Sequence, residues 1–131
     1  MIARIGKSYS FDAAHQLPNH DGKCAREHGH TYQVTIEVEG PIEEAGGVSS
    51  EGMVLDYGQL DALWKTHLEP ALDHQDLNVT IGGECWPTTA ENIAAWMLKR
   101  LDRLTPEDAP WRFAAVTVRE TPKTFARVEA A

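Results

Sequence analysis

Cysteine is scarce: Cys24 and Cys85 are the only two in 131 residues. Two thiols cannot build the disulfide framework of a small secreted fold, so the chain reads as a reduced cytosolic protein, with a single bridge left open as the alternative. Long apolar runs are missing as well. None approaches the roughly 20 residues that span a bilayer. The opening "MIARIGKSYSFDAAH" lacks the apolar segment and cleavage site of a signal peptide. Positive charge is in deficit, with 12 Lys and Arg against 20 Asp and Glu for a net charge of -8. Such a surface argues against nucleic acid as partner, although a few local cations still admit a small anionic substrate. Internal repeats, low-complexity tracts and charge blocks are also absent. What is present suits a soluble globular chain: 42% hydrophobic and 24% charged residues. The length fits one domain over residues 1–131.

Periodicity divides the chain. "YSFDAAHQL" reads as the end of a first strand. From Thr31 to Gly40, Tyr32, Val34, Ile36 and Val38 alternate with polar residues, which marks a half-buried strand. The loop "GPIEEAGGVSSEG" has no period. A helix follows, opened by a capping box at Asp56 and Gln59 with Leu55 and Leu60 as staple, and faced by Leu60, Leu63, Trp64 and Leu68. A second helix starts at "PTTAEN", where Thr88 and Glu91 form a capping box, and buries Ile93, Met97, Leu101 and Leu104 before "TPEDAP" stops it. "WRFAAVTVRE" and "KTFARVEA" read as strands around "TPK". The expected fold is α+β: an antiparallel four-stranded sheet with two helices on one face. Such a sheet has open edges, which an oligomer continuing the sheet between subunits would close.

Six histidines remain to be placed. His28 and His30, two apart at the entry to a strand, face the same side about 6.7 Å apart at strand rise. From that spacing both reach a zinc ion at about 2.0–2.1 Å. Gly29 between them leaves room for close approach. The third ligand is His15, which a hairpin would bring beside them; alone, it would read as a satisfied core histidine. With three histidines a tetrahedral zinc keeps one position open for chemistry. With Cys24 as a fourth ligand the shell closes and the site becomes structural. Spacing does not choose between these. Cys85 reads as structural, and His20 and His67 as solvent-facing.

"FDAAH", Cys24-x-x-x-His28-Gly29-His30, "LDHQDLN" at Leu72 to Asn78, "PTTAEN" at Pro87 to Asn92 and "VTVRET" at Val116 to Thr121 occur in this order. Together they resemble the 6-pyruvoyltetrahydropterin synthase family along nearly the whole chain. The three-residue gap after Cys24 is most similar to its bacterial 6-carboxytetrahydropterin synthase branch, which serves queuosine biosynthesis.

The resemblance implies a tunnelling fold (T-fold). In it three subunits close a twelve-stranded barrel, two rings stack into a hexamer, and active sites lie between subunits. It implies Zn2+ on His15, His28 and His30, gripping the side-chain hydroxyls of dihydroneopterin triphosphate. It also implies proton transfer by Cys24 with Asp73 and His74 as relay, and Glu120 as anchor of the pterin ring. Thr89 and Glu91 would line the pterin pocket. The chemistry is coherent. A thiol near a cation or histidine moves protons near neutral pH, and a carboxylate accepts two adjacent pterin N–H groups. Plainer readings stand beside these. "LDH" could simply end a helix, with His74 near its terminus, and capping alone explains Thr88 and Glu91. Glu120 shares parity with Val116 and Val118, and a carboxylate aimed at an apolar face needs a partner. Lys23, Arg26, Lys123 and Arg127 are the cations that flank these motifs and could meet a triphosphate.

Overall fold

In the computed structural model, which describes residues 1–131, two 14-residue strands form the longest element of the fold. Strands β1 (Ile2–His15) and β2 (His28–Pro41) pair antiparallel without a register break, from Ile2 opposite Pro41 to His15 opposite His28. Alternation decides which face is buried. Phe11, Ala13 and His15 turn to the same side as Tyr32, Val34, Ile36 and Val38, and all are buried. The connection between the strands carries a short 3₁₀ turn at Lys23–Ala25.

The first expected helix is interrupted. Helix α1 (Tyr57–Leu63) is capped by Asp56, whose carboxylate accepts from Gly58 N–H at 2.8 Å. Over Trp64–Leu68 the turn widens, with Glu69 N–H reaching back to the Trp64 carbonyl, before α2 (Glu69–Leu72) resumes. Pro70 explains the break, since it has no N–H to donate and its ring crowds the carbonyl one turn back. The predicted face is nonetheless kept: Leu60, Trp64 and Leu68 are at most 3% exposed.

Two further elements have no periodic signal in the sequence. A two-residue strand β3 (Gln75–Asp76) pairs parallel with Ala13 and Ala14 of β1, so the sheet is mixed and five-stranded rather than purely antiparallel. A short turn of helix, α3 (Leu77–Thr80), follows it.

Helix α4 (Ala90–Leu104) corrects the expected cap. Its N-cap is Thr89, whose hydroxyl accepts from Asn92 N–H, and not Thr88 with Glu91. Thr88 is drawn inward, fully buried, with its hydroxyl donating to Asn78 Oδ1 at 3.0 Å. Ile93, Met97 and Leu101 are fully buried as expected.

Strands β4 (Arg112–Thr121) and β5 (Thr124–Glu129) form the second hairpin, and the sheet order is β3-β1-β2-β4-β5. A bulge between Glu37 and Val38 offsets β2 against β4. Gly40 is required nearby, because a Cβ there would lie 2.8 Å from the Trp111 Cβ. The helices and the inward side chains share one apolar core. The opposite face carries an ionic lattice in which Arg4 and Arg112 hold Glu39 while Arg127 holds Glu37. No helix is long and apolar enough to cross a membrane.

Candidate metal centre and active site

The hairpin register places His15 directly opposite His28, with His30 two residues further along the same face. Their ring centroids lie 4.6 Å (His15–His28), 4.9 Å (His28–His30) and 5.2 Å (His15–His30) apart. One nitrogen from each falls within 4.8 Å of the other two. The Nδ1 atoms of His15 and His28 each lie 2.7 Å from a backbone carbonyl, of Thr88 and Arg26 respectively. A carbonyl only accepts, so each Nδ1 carries the proton and leaves the Nε2 lone pair free, the arrangement found behind metal-bound imidazoles.

The free nitrogens are unspent. Nε2 of His15 and of His30 is buried without a hydrogen-bond partner. Glu120 Oε2 lies 3.9 Å from His30 Nε2, too far for a hydrogen bond. Burial is the first cause that lowers the proton affinity of both His15 and His30, which favours the neutral ligand form. Three converging imidazoles, two of them oriented by carbonyls, fit a zinc ion.

A cavity of about 500 Å³ opens over these rings, and Cys24, Lys23, Arg26 and Glu120 help to line it. Cys24 sits on the 3₁₀ turn, held by its carbonyl accepting from Leu17 N–H at 2.8 Å. It shares the cavity but not the cluster of mutually close nitrogens.

Asp73 and His74 lie elsewhere, on the outer edge of β1. His74 N–H donates to the Asp12 carbonyl at 2.6 Å, and Asp12 N–H donates to Asp73 Oδ1 at 3.0 Å. The pair is closed by a 2.9 Å contact between His74 Nδ1 and Asp73 Oδ2. His74 takes a left-handed backbone with φ of 57°, and its ring is 78% exposed. It borders a second hollow together with Asp12, Gly29, Thr31 and Gln75. Within one chain, His74 and the thiol therefore line different hollows, which meet at His30 and Glu27. Gly29 belongs to this hollow too. A Cβ there would meet only the Ala13 carbonyl, at 3.5 Å, so crowding between the histidines does not demand glycine.

Of the remaining candidates, Thr89 serves as helix cap and Glu91 is exposed in the first turn of α4; neither borders the cavity over the histidines. Arg127 is engaged with Glu37 and Glu129 on the far face of the sheet. His20 is exposed, whereas His67 is half-buried. Cys85 is buried, and burial pushes its thiol up to about 11. Sequence reasoning missed Thr88 and Asn78. The Asn78 amide accepts from Thr88 Oγ1 and Gln16 N–H and donates to the Gln16 carbonyl, tying the end of β1 to the loop that orients His15. Its only trace in the sequence is its place in "LDHQDLN".

The fold defines the class first. The whole chain superposes on 97% of the solved 6-pyruvoyl tetrahydropterin synthase of Caenorhabditis elegans, with a TM-score of 0.82 at 26% identity. This is the T-fold. Residues 4–131 match the profile of the 6-pyruvoyl tetrahydropterin synthase family, and the chain belongs to that family. Two relatives carry a narrower name, 6-carboxy-5,6,7,8-tetrahydropterin synthase. The one from Haemophilus influenzae is 32% identical, covering 93% of this chain and 95% of its own. The one from Synechocystis sp. is 43% identical over 75% of this chain and 74% of its own.

Proposed function

We propose that the chain is a zinc-dependent 6-carboxytetrahydropterin synthase of queuosine biosynthesis. It converts 7,8-dihydroneopterin triphosphate to 6-carboxytetrahydropterin and releases acetaldehyde and triphosphate in the cytoplasm. The observation that carries this reading is the cavity shared by Cys24, Glu120 and three converging histidines, two of which, His15 and His30, have buried Nε2 atoms without a partner. The names of the two relatives support the carboxy-forming branch.

His15, His28 and His30 hold the ion, with His15 and His28 kept in the ligand tautomer by the Thr88 and Arg26 carbonyls. Bound zinc acts as a Lewis acid that stabilises negative charge developing on the side-chain oxygens of the substrate. Glu120, at the end of β4, accepts from the pterin N–H groups and fixes the ring over the cavity. Cys24 lines the same cavity as the histidines and moves protons along the substrate side chain. Lys23 and Arg26, on the same rim and without a carboxylate partner, face the triphosphate. Thr89 and Glu91 are assigned to the pterin pocket only as contacts supplied by assembly.

Asp73 and His74 relay protons to a Cys24 on a neighbouring copy, since in their own chain His74 lines a different hollow from the thiol. That arrangement, and the bare outer edge of β1 beyond its two-residue contact with β3, support a homohexamer built as a dimer of trimers.

The test is incubation of the zinc-loaded protein with dihydroneopterin triphosphate and identification of the products by mass. Carboxypterin with acetaldehyde supports the reading. A pyruvoyl product would move the chain to the activity named for its Caenorhabditis elegans neighbour. No conversion by fully loaded protein would sink both and leave a zinc-stabilised binding module.

A further inference from the structure

One polar atom beside the cavity has no role in the chemistry above. The phenol oxygen of Tyr32 is buried without a hydrogen-bond partner, in a residue that is 0% exposed. A hydroxyl left idle in an interior is costly, and each such case calls for a reason. The ring itself cannot swing away. It stacks on Phe11 at 4.7 Å and meets the His15 and His30 rings edge-on at 6.0 and 5.4 Å.

The register identifies the acceptor. Gln33 pairs with Arg119, so one step along the ladder Tyr32 stands opposite Glu120, on the face shared with the histidines. The residue directly opposite on the same face is the phenol's cross-strand neighbour, and Glu120 ends in a carboxylate that accepts hydrogen bonds. Glu120 is itself short of partners on this side. Its nearest basic atom is His30 Nε2 at 3.9 Å, the lone pair of which would be given to the ion.

We propose that Tyr32 is a positioning residue for Glu120: its phenol donates to the carboxylate, directly or through one buried water, and sets the orientation in which Glu120 receives the pterin. The inference rests on Glu120 as the pterin anchor. It adds a link from the stacked core pair, Phe11 and Tyr32, to the specificity end of the site.

Tyr32→Phe removes only the hydroxyl and keeps both ring contacts, and Glu120→Gln keeps the shape of its partner. The two variants and their double form a cycle read by thermal melting, zinc content and steady-state kinetics. Tyr32→Phe is expected to melt below wild type and to raise KM about tenfold with kcat little changed. Zinc content stays at the wild-type level. In the Glu120→Gln background, the same substitution has a much smaller effect on both melting and KM. A Tyr32→Phe protein that melts higher with unchanged KM would show an idle hydroxyl and overturn the proposal. Full additivity of the two substitutions would overturn it equally. Should the wild type fail to convert the pterin triphosphate, the proposed reaction falls, while the melting cycle still decides whether Tyr32 and Glu120 are coupled.

Discussion

At the scale of single residues, the site is organised by which nitrogen of each imidazole is already engaged. The Thr88 and Arg26 carbonyls take the Nδ1 protons of His15 and His28, so metal binding needs no tautomer change. Cys24 lies on the cavity wall outside the nitrogen cluster. Cys24→Ala is therefore expected to retain zinc at the wild-type stoichiometry, measured by atomic absorption, while turnover is lost. Loss of zinc together with folding would make the thiol a fourth ligand. The Asp73–His74 pair offers a measurement that needs no substrate. The Asp73 carboxylate raises the His74 pKa above the ordinary histidine value. The Asp12 N–H first, and His74 second, hold Asp73 below the usual carboxylate range. A raised base stabilises the fold fully below its unfolded value of about 6.5, and the effect is lost as pH climbs through the folded value. A depressed acid contributes above its unfolded value of about 3.9, and loses this as pH falls through the folded value. Both charges thus favour the fold at neutral and mildly acidic pH. Asp73→Asn should bring the His74 midpoint in an NMR titration down toward free histidine; an unmoved midpoint would exclude the carboxylate as cause.

At the scale of elements, what could be read from the sequence was what repeats. Alternation placed Tyr32, Val34, Ile36 and Val38 on one face, and the same parity put His28 and His30 on that face. The spacing of Ile93, Met97 and Leu101 defined the buried side of α4. What escaped was set by single local contacts that leave no period. The widened turn before Pro70 is one. The two-residue β3 exists only through its pairing with Ala13 and Ala14. The α4 cap slipped by one residue because tertiary bonds to His15 and Asn78 claim Thr88, an effect no local pattern encodes. The slip has a measurable consequence. Thr89→Ala removes the cap and should cost about 1 kcal/mol in thermal or denaturant unfolding. Glu91→Ala, at the position a Thr88 capping box would use, should fall within about 0.5 kcal/mol of wild type. A larger loss at Glu91 than at Thr89 would restore the cap expected from the sequence.

At the scale of the whole molecule, the proposed site draws on two hollows of one chain that meet at His30 and Glu27. The thiol, the histidines and Glu120 surround one cavity, whereas His74 borders a hollow at the outer edge of β1, with Asp73 in contact beside it. Most of that edge, from Ile2 to Phe11, has no strand beside it, so its outward backbone groups are free to pair with another copy. The proposed site would take its thiol from one subunit and its imidazole from the next. Cys24→Ala and His74→Ala should each be inactive alone, and each should assemble as wild type does in sedimentation. Mixed in equal amounts and allowed to exchange subunits, they form some sites in which the intact thiol of one variant meets the intact imidazole of the other. With random assembly around a ring, about a quarter of the sites combine both intact groups, and turnover should recover to that level. Sites completed within one chain would leave the mixture as inactive as its components. Recovery that grows with exchange time, while each variant alone stays silent, is the signature of a catalytic centre shared across the β1 edge.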